Sequence, residues 1–232
     1  VGCGCGPTTI ELARRVGPKG MVLGVDLSSV MLERARQLPR PPGLADVRFA
    51  EADAQTHAFP PGAFDVLYSR FGVMFFADPR AAFANLRTAL RPGGRVAFVC
   101  WRSLPENPWM ALPLAAALQH IPPPPIPGPN DPGPFSFADR ARVTAILEGA
   151  GFADVAFEAL DRELVIGGGG DLESAVNFIL QMGPTSAALR EAGAAKTAEV
   201  VAAVREAMRP YHRVGAGVRM ASAAWIVTAR RP

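Results

Sequence analysis

The sequence predicts an α/β fold of the Rossmann-like, doubly wound type, with a mostly parallel sheet and helices on both of its faces. Of the 232 residues, 49% are hydrophobic and 19% are charged, which is typical of a globular domain. Short apolar runs alternate with amphipathic helical patterns over the first 100 residues. A glycine cluster leads directly into the first helical pattern. Strands joined through helices run parallel, and sheets of this kind bind ligands at the carboxyl ends of their strands.

The first half of the chain alternates helix and strand. Thr8 and Glu11 have capping-box spacing, which predicts a helix that ends at Gly17-Pro18. Further helices are predicted after the caps Ser28-Ser29 and Asp78-Pro79. Apolar runs predict strands over residues 21–25, 47–50, 64–68 and 95–100, the last of them after a Pro-Gly-Gly turn at 92–94.

The second half is less regular. Prolines dominate from Pro105 to Phe137 and predict an irregular surface connection. A helix from Asp139 and an alternating strand around 155–159 follow. Helical patterns at 172–182 and 187–208 then precede a last strand at 221–229. We expect a single domain, with 1–160 and 216–232 forming the cofactor-binding core and 161–215 forming a helical cap.

Composition excludes several classes of protein. The net charge is +3 and the cations are spread along the chain, so nothing favours nucleic acid as a partner. No apolar stretch is long enough for a membrane span and no signal-peptide pattern is present, so we expect a cytoplasmic location. The three cysteines include a close pair, Cys3 and Cys5, and predict neither a disulfide framework nor a metal site.

The N-terminal segment Val1–Gly6 has the pattern G-x-G-x-G, and no strand precedes it. We therefore expect the first strand of the sheet to lie upstream of Val1. Glycines alone are weak evidence, since a tight turn also uses them. The dinucleotide fingerprint needs a further glycine at position 7, where Pro7 stands. The spacing favours a ligand that approaches the backbone closely without a pyrophosphate.

Two aspartates follow predicted strands. Asp26 lies 20 residues beyond Gly6 and could accept hydrogen bonds from both hydroxyls of a ribose, or could be a helix cap or a solvated residue. Asp53 is placed similarly after the next strand. It could accept from an adenine amino group or be a turn residue.

Five segments in order resemble the class I S-adenosylmethionine-dependent methyltransferases, and within them the ubiquinone/menaquinone methyltransferases. The resemblance covers the first 100 residues closely and the remainder loosely. The segments that carry it are Val1–Gly6, Gly24–Ser28, Glu51–Ala54, Phe64–Ser69 and Leu90–Arg95.

The resemblance implies that S-adenosylmethionine is the cofactor and that a small-molecule acceptor, apolar or aromatic, receives the methyl group. It places Gly2, Gly4 and Gly6 along the methionine part of the cofactor. It places Ser69 beside the same part.

For the adenosine part, the resemblance implies four residues. Asp26 would hold the ribose hydroxyls and Leu27 would pack on the adenine. Asp53 together with Ala54 would recognise the adenine edge.

Methyl transfer from a sulfonium needs alignment more than acid–base chemistry, so a general base is optional. His57 and His212 are the candidates, although loop histidines are more often solvated. Trp101 and Trp109 either wall an acceptor pocket or pack in the core.

Two other functions stay open. A nicotinamide-dependent oxidoreductase would share Asp26 but would lack the third fingerprint glycine. A non-catalytic, methyltransferase-like binding module cannot be distinguished by sequence, because the chemistry needs so few side chains. The sequence also leaves open whether the chain forms a homodimer.

Overall fold

The computed structural model describes residues 1–125, 128, 131–192 and 196–232, and its strands lie in two sheets. β1 and β2 pair in parallel as one sheet. The other sheet has the order β3-β4-β7-β5, with β6 antiparallel to β7 and β3 parallel to β4. The strands are β1 (Met21–Asp26), β2 (Asp46–Glu51), β3 (Phe64–Arg70), β4 (Leu90–Trp101), β5 (Ala153–Ile166), β6 (His212–Arg213) and β7 (Gly217–Arg230).

Helices flank the sheets, and the predicted α/β class is confirmed. The caps predicted at Ser28 and Asp78 are present, because each side chain accepts a hydrogen bond from a backbone N–H three residues later. Asp139, where a helix was predicted to begin, caps its helix in the same way. The helices are α1 (Pro7–Val16), α2 (Ser29–Arg36), α3 (Pro79–Ala89), α4 (Pro108–Ala117), α5 (Arg140–Gly149), α6 (Leu172–Gln181), α7 (Gly183–Ala192) and α8 (Thr197–Met208).

Two local predictions are wrong. Thr8 is not a cap: Gly6, with φ 85°, precedes the first turn of α1, and Pro7 occupies the first helical position, where its missing N–H is tolerated. The expected irregular connection contains α4, which begins at Pro108 and contacts α7 and α8. Tertiary packing outweighs the proline content there.

The predicted turn at Pro92-Gly93-Gly94 is an irregularity within β4. Phe64 pairs with Leu90 and Val66 pairs with Arg95, so four residues of β4 lie opposite one residue of β3. Proline cannot donate to a ladder of strand hydrogen bonds, and such irregularities are where strands tolerate it.

The N-terminal residues connect the two sheets. Val1 N donates to Tyr68 O of β3 at 2.7 Å. Cys3 N donates to Val25 O of β1 at 3.1 Å. Among the described strands none pairs with both β1 and β3, and this short segment makes hydrogen bonds to one strand of each sheet.

The chain divides into two compact units. The first comprises Val1–Cys100, Pro132–Glu158 and Trp225–Pro232. Its core contains an aromatic cluster around Phe83, whose ring centroid lies 5.6 Å from that of Phe98 and 6.3 Å from those of Phe137 and Phe152. Edge-to-face and offset contacts of this kind stabilise a core beyond their buried area.

The second unit comprises Trp101–Asp131 and Ala159–Ala224. Its helices bury Val200, Val204 and Met208 of α8. The fully buried Asn107 donates to Ala223 O and accepts from Ala223 N, both at 3.0 Å. The division into a core and a cap at 161–215 stays a prediction. In the part of the chain that is described, no helix is both long and apolar enough to cross a bilayer.

Candidate functional site

The side chain of Asp26 holds the glycine loop, which we define as residues 2–6. Its Oδ2 accepts from Gly4 N at 2.7 Å and its Oδ1 accepts from Ser28 N at 3.0 Å. An ionised carboxylate offers about four acceptor positions. Two are used by the chain, so Asp26, which is partly exposed at the end of β1, can accept two further hydrogen bonds.

The three glycines of the loop differ in what surrounds them. A Cβ on Gly2 would lie 2.9 Å from Gly72 Cα, and one on Gly6 would lie 2.8 Å from Ala35 Cβ. These two positions require glycine because the chain itself approaches closely. At Gly4, with φ 54°, the nearest atom to such a Cβ is Met31 Sδ at 3.8 Å. Gly4 therefore presents bare backbone towards open space.

Ser69, at the end of β3, carries a buried hydroxyl that needs a partner. Only 1% of the residue is exposed, and its Oγ makes no hydrogen bond within the described part of the chain. A Cβ on Gly72 would lie 3.0 Å from this oxygen and 3.0 Å from Gly2 Cα. Ser69 therefore lies beside the glycine loop, and a buried hydroxyl without a partner is energetically costly. Its predicted place beside the methionine part of the cofactor stays a prediction.

The backbone beside Ser69 is strained. Phe71 has φ 60°, an unfavourable value for a bulky side chain, and its N–H donates to Val99 O at 2.9 Å. Strain of this kind persists where the surroundings enforce it and is frequent at functional sites.

Asp53 lies in a tight turn after β2. Its Oδ1 accepts from Gln55 N at 2.9 Å, and its carboxylate also receives the Gln55 amide at 3.2 Å. Ala54 is 4% exposed, and its carbonyl accepts from Asn85 Nδ2 at 3.0 Å. Asp53 is therefore a turn residue, as one of the two interpretations held. A ligand would have to use the acceptor positions of its carboxylate that Gln55 leaves free.

Apolar side chains are exposed next to Asp26. Leu27 is 69% exposed, and Val30 and Met31 on α2 are 61% and 45% exposed. Such side chains would suit a ligand with an apolar face, because binding sites are lined mainly by apolar residues with a few polar groups among them.

The two histidine candidates differ in setting. His57 is exposed, packs edge-on against Phe59 at 4.7 Å between ring centroids, and has no hydrogen bond to its ring among the described residues. His212 belongs to the second unit, where it lines a cavity of 350 Å³ with Asp171 and Val214. Within the described residues, no hydrogen bond orients either imidazole as a general base would require.

Trp101 and Trp109 pack against each other in the second unit, with ring centroids 5.3 Å apart. Trp109 is 7% exposed, and its indole N–H has no hydrogen-bond partner in the described part of the chain. The core-packing interpretation describes Trp109 well.

The thiol of Cys3 lies in an environment that favours its protonated form. Burial and, to a smaller extent, the charge of Asp26 raise the pKa of Cys3 to about 11. The thiolate is the reactive form of cysteine, so this environment does not favour a nucleophilic role for Cys3.

Sequence reasoning missed several contributors to this region. Gly72, Met31 and Gln55 each contact a predicted residue without belonging to a recognised motif. Only the glycine at position 72, within an otherwise apolar run, could have indicated a close approach of two backbones.

Residues 1–94 match the family described as methyltransferase domain. Aklanonic acid methyltransferase DauC of Streptomyces sp. strain C5 is 34% identical over 128 residues, which are 53% of this chain and 58% of DauC. Demethylmenaquinone methyltransferase of Thermus thermophilus is 42% identical over 93 residues, 40% of this chain and 41% of that protein. The chain thus covers less than two thirds of either relative.

Solved structures share the fold. The YcgJ protein from Bacillus subtilis superimposes with a TM-score of 0.61 at 17% identity, over 99% of this chain and 89% of that chain. Phosphoethanolamine N-methyltransferase 2 of Haemonchus contortus, in complex with S-adenosyl-L-methionine, gives a TM-score of 0.52 at 19% identity, over 100% of this chain and 47% of that chain.

Proposed function

We infer that this chain, which carries a class I S-adenosylmethionine-dependent methyltransferase domain, transfers a methyl group from S-adenosylmethionine to a small-molecule acceptor. One observation carries the inference: the Asp26 carboxylate fixes the glycine loop through Gly4 and still has acceptor positions to offer. A ribose diol is the ligand group that best matches a carboxylate at the carboxyl end of a strand such as β1, beside a glycine loop.

The surrounding residues fit the remainder of the cofactor. Leu27 is exposed beside Asp26 and provides an apolar face for the adenine. Asp53 and the backbone around Ala54 would meet the adenine edge. Ser69 has a buried hydroxyl without a partner, which suits the polar methionine end. Gly4, which has no side chain, would let the cofactor approach the backbone closely between its adenosine and methionine parts.

The bound cofactor supplies a methyl group on a sulfonium, which is already electrophilic. The chain's own contribution is therefore to bind and orient. Asp26 would hold the ribose of the cofactor, and the glycine loop would hold its methionine part. The exposed apolar residues beside Asp26 would exclude water. Holding the reacting atoms in line accounts for most of the acceleration that such an enzyme needs. A general base, for which His57 and His212 stay candidates, is needed only when the acceptor carries a proton at the reacting atom.

The acceptor is proposed to be a small apolar or aromatic molecule. Both relatives are named for small-molecule acceptors, aklanonic acid and demethylmenaquinone. The methylated atom is not assigned, because one fold serves many acceptors.

Calorimetric titration with S-adenosylhomocysteine and, separately, with NADH tests the cofactor. We expect saturable binding of the first and none of the second. A parallel assay with radiolabelled S-adenosylmethionine and a panel of phenols and quinols should show label in an acceptor. NADH binding would contradict the methyltransferase and favour the oxidoreductase, whereas cofactor binding with no acceptor in any panel would favour the non-catalytic module.

A further inference from the structure

We propose that one end of the first unit binds the surface of an anionic lipid bilayer. This end, which we call the basic surface, lies where α1 and α2 end and β1 and β2 begin. It combines unpaired cations with exposed apolar side chains, and the inference does not depend on the proposed function. Its cations are Arg14, Arg15, Lys19, Arg34, Arg36 and Arg40.

The fold gathers cations that are scattered in the sequence. Ala45 N, directly before β2, donates to Ala13 O of α1 at 3.1 Å, and Asp46 N donates to Gly20 O at 3.0 Å. Leu38, just after α2, packs against the buried cluster that contains Ala13 and Ala45. The C-terminal ends of the two helices therefore meet where the parallel strands β1 and β2 begin.

Little negative charge is present at this end of the sheet. Residues 12–45 contain six cations and only two carboxylates, Asp26 and Glu33. Asp26 lies at the opposite end of β1, which leaves Glu33. Lys19, Arg34, Arg36 and Arg40 are exposed, and in the part of the chain that is described none of these four side chains forms an ion pair.

Helix dipoles explain only part of this arrangement. A cation in the last turn of a helix stabilises its C-terminus, and the four arginines within α1 and α2 hold such positions. Lys19 and Arg40 lie outside both helices. These two add positive charge for which the helices give no reason.

Large apolar side chains are exposed among the cations. Val16, the last residue of α1, is 50% exposed, and Met21, the first residue of β1, is 39% exposed. Lys19 lies between them in the chain. On proteins that bind anionic bilayers, apolar groups enter the interface while cations attract the headgroups. A nucleic acid would use the cations and leave the apolar residues in water, so the bilayer fits the surface better.

Docking at the basic surface leaves the candidate functional site open. Asp26 is five residues beyond Met21 on β1, which corresponds to about 17 Å. The glycine loop contacts Asp26, at the far end of the strand. The two surfaces therefore occupy opposite ends of the first sheet.

Vesicle co-sedimentation tests the proposal. Vesicles of equal parts phosphatidylglycerol and phosphatidylcholine provide the anionic surface, and vesicles of phosphatidylcholine alone provide the neutral one. We expect the wild-type protein to bind the first and not the second. Raising the salt concentration should release it, because exposed charges are screened.

The variant Arg34→Gln/Arg36→Gln/Arg40→Gln removes three unpaired cations from the basic surface. Its partition coefficient on the anionic vesicles should fall about 100-fold, because each cation near an anionic surface contributes about fivefold.

The matched control is Arg205→Gln/Arg209→Gln/Arg213→Gln, which removes the same charge from ion-paired positions in the second unit. It should bind anionic vesicles within about twofold of wild type, since charges beyond a Debye length of the bilayer contribute little.

Val16→Ser tests the apolar part and also carries the test if the triple variant does not fold. It should weaken vesicle binding about fivefold, because part of a valine side chain is no longer buried in the interface.

Absence of wild-type binding to the anionic vesicles at low salt would overturn the proposal. An equal loss of binding in the two triple variants would also overturn it, since net charge rather than this surface would then be responsible. Binding to duplex DNA without binding to vesicles would overturn it in favour of a nucleic-acid surface.

Discussion

The glycine loop at residues 2–6 and the glycine run at 167–170 each lead into a helix, and they differ in what meets the helix N-terminus. In the first, α1 begins without a side-chain cap and Arg70 contacts its first turn. In the second, Asp171 caps α6 itself, accepting from Ser174 N and from Ser174 Oγ, both at 2.8 Å. A Cβ on Gly167 would lie 2.7 Å from Ser174 O, so that run packs against its own helix.

The comparison teaches that glycines before a helix do not by themselves make a binding site. The second run satisfies its own helix, and its aspartate occupies the position that an anion would take. The first leaves its helix without a side-chain cap, and the Ser69 hydroxyl beside the glycine loop has no partner among the described residues. The state of the helix N-terminus therefore distinguishes the two more clearly than the glycine pattern does.

The largest expected effect concerns the carboxylate at the glycine loop. Asp26→Asn should weaken S-adenosylhomocysteine binding about 100-fold, because two charge-assisted hydrogen bonds to the ribose are lost. It should also reduce the free energy of unfolding by about 1–2 kcal/mol, since one of the two backbone N–H groups loses its acceptor. Calorimetric titration and urea unfolding measure the two effects.

The matched control is Asp171→Asn at the other glycine run, which should leave cofactor affinity unchanged. Equal affinities of Asp26→Asn and wild type would remove Asp26 from the site and would erase the distinction between the two glycine segments.

The next effect separates close approach from backbone conformation. Gly2 and Gly62 have nearly the same φ, 64° and 65°. A Cβ added to Gly2 would lie 2.9 Å from Gly72 Cα, whereas a Cβ added to Gly62 would have no atom within 4 Å. Gly2→Ala should therefore lower the free energy of unfolding by about 2–4 kcal/mol, and Gly62→Ala by only about 1 kcal/mol. Urea denaturation of both variants provides the measurement, and similar losses would mean that the contact with Gly72 relaxes freely.

The smallest effect concerns pH and the self-capped helix α6. The hydrogen bond from Ser174 N lowers the pKa of Asp171 below its usual value. A carboxyl group whose pKa is lower in the folded state stabilises it above the unfolded pKa, and this contribution is lost as pH falls through the folded value. Wild type should thus exceed Asp171→Asn in stability at pH 6, and the difference should shrink as the pH falls below about 4, the usual aspartate pKa, towards the lower folded-state pKa. Thermal unfolding at a series of pH values from 6 downwards checks this, and a difference that stays constant in acid would contradict it.

Much of the first unit was predictable because its order is local. Short-range patterns predict where the strands end and which residues cap the helices, as at Ser28 and Asp78. They also predict that Asp26 lies at the end of a strand. The capping role predicted for Thr8 was wrong, because Gly6 precedes the first turn of α1 and the Thr8 hydroxyl accepts a hydrogen bond from Arg70 instead.

The rest depends on contacts between residues distant in sequence. The proximity of Gly72 to Gly2 and the unpaired hydroxyl of Ser69 appear only when strands are placed side by side. In the same way, α4 forms in a proline-rich segment because α7 and α8 pack against it. Sequence periodicity reports on one element at a time and carries no information about such partners.

Arg231 belongs to the first unit and hydrogen-bonds there to β4 and to the end of α3. Its backbone N donates to Gly94 O at 2.8 Å, its carbonyl accepts from Gly93 N at 2.9 Å, and its guanidinium reaches Arg87 O at the end of α3 at 3.0 Å. A ribosome delivers residues 87–94 long before residue 231. The irregular end of β4 must therefore wait through the synthesis of the entire second unit before it can pair, and a nascent chain lacking its last residues would expose that segment to chaperones and proteases.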